Sequence, residues 1–208
     1  MNSEKTKNSK RIYKITECAI MIALATVLSV IKLWHAPMGG SITLLSMFPI
    51  IFISVRHGIK WGMGSGFIYG VIQLLLGLEN FSYVPTFWGI VGCAVFDYLL
   101  PFTLLGLGGI FLYLKPKTVE GEIAAVVCGA ILAVVLRFMC HFLGGAIIWY
   151  ELSKQWAEPG DYINSVGMWL YSFVYNITYL GPDGILVIGA SPMLVKLKNM
   201  SMLAGKSA

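Results

Sequence analysis

LRFMCHFLGGAIIW, residues 136–149, lies inside an apolar run from Ile123 to Tyr150, 28 residues long. That is enough to cross a bilayer core of roughly 30 Å with some tilt, so the run is read as a transmembrane helix. It carries Arg137 and His141 one turn apart on one face, followed on that face by Gly145 and then Trp149. An ionisable group at membrane depth costs a few kcal/mol or more unless it faces protein or a wet cavity. The stripe therefore marks a polar site lined by this helix, and the other helices must supply the rest of it.

Composition agrees with a membrane setting. The chain of 208 residues is 57% hydrophobic and 12% charged, too apolar for a soluble domain of this size, and its long continuous runs point to helices, not to a barrel of short alternating strands. The expected fold is an all-α integral membrane protein, one domain over residues 1–208. Six spans can be drawn: about Ile12–Leu33, Ser41–Val55, Ile59–Leu78, Pro85–Leu114, Glu122–Tyr150 and Ile163–Lys196. Residues 1–11 then form a cytoplasmic basic tail, 35–40 an outer loop or lid, and 151–162 a second outer loop. With an inside amino terminus, twelve of the fifteen Lys and Arg fall on the inner side, including Lys5, Lys7, Arg56, Lys60, Lys115 and Lys206. Only Lys32 and Lys154 fall outside, and Arg137 lies within the membrane. This asymmetry predicts six transmembrane helices with both termini cytoplasmic. The net charge of +5 is thereby assigned to topology, not to a nucleic-acid partner.

Several stretches carry further expectations. Ala19 and Ala23 form a small-xxx-small pair that either docks a partner protein or packs within the bundle. Glu17, near the same helix start, is placed among basic residues at the cytoplasmic interface with no site role. The first outer loop, LWHAPMGGS (33–41), either turns the chain or folds over a pocket as a cover. Gly58, Gly62, Gly66 and Gly70 recur every four residues and predict a groove for a neighbouring backbone. Asp97 lies twelve residues in from Pro85, about 18 Å along a helix, and needs a partner there. It pairs structurally with Arg137 or receives a cationic or amine-bearing ligand. In the last span Tyr171 and Tyr175 share a face, Asn176 sits about 140° round from Tyr171, and Pro182 predicts a kink. Asp183 is either a second intramembrane acid or part of a broken, solvated turn.

Catalysis and metal binding find little support. The chain has no HExxH, GxSxG or Walker sequence; one deep histidine and one aspartate make a weak metal site. Cys18, Cys93, Cys128 and Cys140 form no CxxC pair and read as small core residues. The remaining candidate is an outward-opening pocket of Asp97, Tyr98, Arg137, His141, Trp149, Tyr171 and Asn176. Aromatic faces with an acid and polar donors suit a flat, partly cationic heterocycle.

Together the fragments resemble the thiamine-specific substrate-binding (S) components of energy-coupling factor (ECF) transporters, the ThiT family. The resemblance rests on Ala19 and Ala23, GGSITLLSMFPI (39–50), ISVRHGIKWGMGSG (53–66), FDYLLPF (96–102), LRFMCHFLGGAIIW (136–149) and YSFVYNITYL (171–180). It implies a six-helix S-component fold in a bacterial cell membrane, with thiamine as ligand, no cofactor and no enzymatic activity. It further implies high-affinity capture of thiamine for an importer whose other parts are a transmembrane coupling protein and two ATPases. By the same resemblance Trp149 stacks on the ligand's rings, Asp97 meets the aminopyrimidine or thiazolium charge, and His141 and Asn176 add polar contacts. Ala19 and Ala23 then face the coupling protein. The family's lid tryptophan has no equivalent at the aligned Gly40, with Trp34 and His35 earlier in the loop. The alternatives are an S component for another vitamin or for a precursor such as hydroxymethylpyrimidine, an intramembrane enzyme using Asp97 and His141, and a purely structural subunit.

Overall fold

In the computed structural model the backbone is described for residues 2–36 and 39–204 and the side chains for 8–36 and 39–198. Pro37 and Met38 of the first outer loop, the side chains of Lys5 and Lys7, and Lys206 lie outside the described residues. Helix α1 (Asn2–Val30) is continuous for 29 residues, so the basic segment expected as a tail extends the first span in helical form. The chain then makes an antiparallel hairpin of β1 (Lys32–His35) and β2 (Ser41–Thr43), with Trp34 opposite Ile42 and His35 opposite Ser41.

This hairpin corrects the expected second span, whose first residues are strand. The helix itself, α2 (Phe48–His57), is ten residues, about 15 Å and half a bilayer core. The local sequence explains the shift. Gly39 turns the chain at φ 95°, Leu45 sits at φ 60°, and Pro49 occupies the first helical turn, where its missing N–H costs nothing. Seven consecutive residues of α2, Pro49–Val55, are buried. This short helix is the centre of the core, with Met47, Tyr69, Leu105, Val126, Ala130 and Val187 packed around it.

Helix α3 (Ile59–Leu76) follows a turn at Gly58, φ 92°, and a 3-10 turn covers Leu78–Tyr83. The fourth span is built in pieces: α4 (Phe87–Cys93), a π-helical segment (Ala94–Leu99), α5 (Leu100–Leu104) and a 3-10 segment (Leu105–Leu114). The glycine groove of α3 receives it. A Cβ on Gly62, Gly66 or Gly70 would come within 2.8 Å of the Gly106 oxygen, 2.3 Å of the Phe102 oxygen and 2.9 Å of the Tyr98 oxygen. Acceptors at 98, 102 and 106 repeat every four residues against glycines that do the same, so two antiparallel backbones meet with no side chain between them.

Helix α6 (Val119–Gly144) opens on a Thr118 hydroxyl that accepts from the Gly121 N–H at 3.1 Å. It passes through a second π segment (Gly145–Trp149) into α7 (Tyr150–Lys154). After α8 (Tyr162–Ser165), α9 (Met168–Ala190) runs through Pro182 without a break, and the interruption falls instead at Ser191 and Pro192, before α10 (Met193–Ala204). Buried Asn176, Tyr179, Asp183 and Val187 flank Pro182 on both sides, and packing there holds the helix together despite one missing donor.

Among the described residues, four helical runs are long and apolar enough to cross a membrane: Asn8–Val30, Ile59–Leu76, Phe87–Leu114 and Val119–Lys154. The protein is thus a multi-pass membrane protein, mostly helical. At one end α1 is clamped to α2: Glu17 bridges Arg56 and His57, each at 2.7 Å, and Arg56 also donates to the Tyr13 hydroxyl at 2.9 Å. Glu17 thus has a structural task. Lys198 pairs with Glu122 and ties α10 to α6.

Candidate ligand-binding site

The two π segments place the central pair of side chains. In each, a backbone N–H bonds five residues back: Leu100 to Val95 and Tyr150 to Gly145. Pro101 has no N–H to offer the Asp97 carbonyl four residues earlier, so the α register fails at this point of the fourth span. Such wide turns recur at functional sites. Gly144 and Gly145 make the second one possible. A Cβ on Gly144 would lie 3.0 Å from Asp97 Oδ1, and one on Gly145 2.3 Å from Ser172 Oγ. One glycine admits the fourth span and the other admits α9.

Asp97 is held from two sides. Its Oδ2 accepts the Trp149 indole N–H at 2.7 Å, and its Oδ1 faces His141 Nδ1 at 3.5 Å. Both side chains are largely buried, with 14% and 12% of their surface exposed, so this is neither a solvated carboxylate nor a free imidazole. His141 Nε2 has no hydrogen-bond partner among the described residues although it is buried. A buried, unpaired nitrogen is costly unless a ligand meets it.

Asn176 locks this cluster to α9. Its amide donates to the His141 carbonyl at 3.2 Å and to the Ser172 carbonyl at 2.9 Å, while its Oδ1 accepts from the Tyr179 hydroxyl at 2.6 Å. Tyr179 stands edge-on to the His141 ring with centroids 6.3 Å apart. Along α9, Tyr179 meets Tyr175 at 5.7 Å and Tyr175 stacks on Tyr171 at 6.2 Å. Over this aromatic ladder lies the first loop. The Gly40 N–H points to the Tyr175 hydroxyl at 3.4 Å, and a Cβ on Gly40 would fall 2.6 Å from the Tyr179 ring. Only glycine lets the loop sit this low at that position.

The structure brings together Asp97, His141 and Trp149, with Asn176 bonded to the His141 carbonyl and Tyr171 at the far end of the ladder. Two expected members turn elsewhere. The Tyr98 hydroxyl accepts from Asn80 at 2.8 Å, and its ring stacks on Phe81 at 5.9 Å, toward the end of α3. Arg137 lies over the Phe102 ring at 4.9 Å and pairs with Asp183 at 3.6 Å, so the structural pair weighed for Asp97 and Arg137 is made with another acid. Asp183 is fully buried in helix, not in a solvated turn. Tyr179 and Ser172 were missed from the sequence. Spacing from Tyr171 through Tyr175 to Tyr179 at i, i+4, i+8 was the available signal for the tyrosine. Apolar grooves of about 440 Å³ (Met21, Leu24, Phe48, Phe52, Leu197) and 200 Å³ (Val134, Phe138, Ile177, Leu180) open elsewhere, on other faces of the bundle.

Residues 15–203 match the family described as thiamine transporter protein. The chain belongs to that family. Among its relatives, the thiamine transporter ThiT of Bacillus subtilis is 28% identical over 185 residues, covering 86% of this chain and 88% of the relative. The thiamine transporter ThiT of Lacticaseibacillus paracasei is 26% identical over 208 residues, covering 96% and 98%. The solved structure of ThiT from Listeria monocytogenes superimposes with a TM-score of 0.65 at 24% identity, covering 92% of this chain and 96% of that one, and it shows the same fold. The family is one of transport proteins, not enzymes.

Proposed function

We propose that this chain is the high-affinity, thiamine-binding S component of an ECF-type importer in a bacterial cell membrane, and that Asp97, His141 and Trp149 form the centre of its site. The observation that carries the reading is a carboxylate fixed by an indole N–H at 2.7 Å beside a buried histidine whose Nε2 has no partner among the described residues. Asp97 faces the aminopyrimidine or the thiazolium charge, His141 Nε2 completes a polar contact, and the Trp149 ring stacks on the heterocycle. Tyr171 lines the aromatic wall, and Asn176 fixes the His141 backbone. Tyr98 and Arg137 act from outside this first ring of contacts by bracing the fourth and fifth spans.

In the same reading residues 1–208 are a single domain of six spans with both termini cytoplasmic, residues 1–11 a cytoplasmic basic segment, 35–40 an outer loop or lid and 151–162 an outer loop. Ala19 and Ala23 are exposed on α1 beside exposed Ile20 and Val27. That small-residue face suits a transmembrane coupling protein, which in turn works with two ATPases. Isothermal titration of ligand-stripped protein is the direct test: thiamine binds, and the bare hydroxymethylpyrimidine competes weakly. No heat from thiamine with well-folded protein would sink the proposal, and equal competition would assign the chain to a precursor instead.

A further inference from the structure

The first-loop hairpin is fastened to one face of α9 at several heights. Gly40 meets Tyr175 and Tyr179, and three residues further along, Thr43 meets Asp183. Both the Thr43 N–H and its hydroxyl donate to Asp183 Oδ1, at 3.1 Å and 3.0 Å. Three strand residues span about 10 Å, and the four to eight helical residues from Tyr179 or Tyr175 to Asp183 span about 6 to 12 Å. The strand therefore lies along the tyrosine ladder in register with it. Thr43 has only one hydroxyl hydrogen and gives it to Asp183, so the Ser46 hydroxyl, 2.7 Å away, must donate to Thr43. Between them Leu45 is held at φ 60°, a conformation that a bulky residue keeps only where its surroundings over-determine it.

The Asp183 side chain is fully buried, as is most of Arg137, whose Nη1 lies 3.6 Å from Asp183 Oδ2. Oδ2, Arg137 Nε and Arg137 Nη1 have no hydrogen-bond partner among the described residues. The arginine therefore acts on the acid through charge, and it rises from the helix that carries His141 one turn away. Phe102 lies against the guanidinium, Thr43 against the carboxylate and Ser46 against Thr43.

We propose that Asp183 is a positioning residue for the ligand site: charge-balanced by Arg137, it latches the outer hairpin through Thr43 onto the tyrosine face of α9 and so sets how long a bound ligand is retained. The inference rests on the thiamine reading only for its second half. In ligand-free protein, Thr43→Val should raise amide hydrogen exchange across residues 32–44 while Thr43→Ser restores protection. With thiamine, stopped-flow should show dissociation several-fold faster in Thr43→Val, with association within about twofold of wild type. Asp183→Asn should act in the same direction and more strongly, because it leaves Arg137 without a counter-charge. Wild-type exchange guards against variants that fail to fold: peptides covering 41–44 should stay protected without ligand, and rapid exchange there would overturn the latch. Unchanged hairpin exchange in a folded Thr43→Val that still binds thiamine would overturn the latch and leave the proposed function standing. Raised exchange with unaltered dissociation would overturn the role in retention. A wild type that binds no thiamine would overturn the functional reading and the retention role, with the ligand-free exchange still deciding the latch.

Discussion

Trp149 gives its N–H to Asp97, and in the proposed site the face of the same ring meets the ligand. Trp149→Phe keeps the stacking surface and removes the donor. A hydrogen bond to a charged group contributes about 1.5–3 kcal/mol, so thiamine affinity should fall roughly tenfold or more by calorimetry, with the fold intact by circular dichroism. Asp97→Asn should cost at least as much, since it removes the charge and can set an amide donor against the indole donor. Not every ionisable residue in these spans lies where its spacing suggests. Arg137 and His141 share a helical face, which is why they read as one site, yet a guanidinium on a long stem reached past that site to Asp183. Spacing fixes where a side chain leaves the helix; it does not fix where a long flexible stem brings its charge to rest.

Helix irregularity, not helix formation, builds the site. Pro101→Ala would return an N–H to the Asp97 carbonyl and favour the α register through residues 94–99. Thiamine affinity should then drop about tenfold while thermal stability holds or rises, because propensity improves as Asp97 rotates away from Trp149. The glycines of α3 give a paired test. Gly66→Ala drives a Cβ to 2.3 Å from the Phe102 oxygen and should cost about 1–3 kcal/mol by overpacking. Gly64→Ala meets nothing within 4 Å and should be neutral or gain up to about 1 kcal/mol; a thermal melt in detergent separates the two. The α3 groove was legible because glycines in register have few other uses, although Gly58, expected to belong to it, is instead the turn that starts the helix. The hairpin and the short α2 were not, since a run such as SITLLSMFPI is equally apolar as strand, loop or helix, and only the positive φ at Gly39 and Leu45 decides where the helix can begin.

At the scale of the molecule, α1 leaves Ala19 and Ala23 exposed whereas α9 buries the polar side chains of Ser172, Asn176 and Asp183. If α1 docks the proposed coupling protein, Ala19→Trp together with Ala23→Trp should abolish co-purification with it while leaving thiamine binding within about twofold, since both alanines are exposed. Topology is checked by an impermeant maleimide on cysteines introduced one at a time: Ala157→Cys should label from outside intact cells and Lys117→Cys only after lysis. By itself the sequence determined the membrane setting and singled out Asp97, His141 and Trp149, which the structure brings together, because hydropathy and residue type are read along one dimension. Only the tertiary structure decided that Arg137 answers Asp183, that Tyr98 turns toward Asn80, and that a hairpin rests on the α9 tyrosines. Each of those depends on which of several feasible partners lies within hydrogen-bond or ion-pair distance once the spans are packed, and that distance is set by glycines, π turns and rotamers acting together, not by any one stretch of chain.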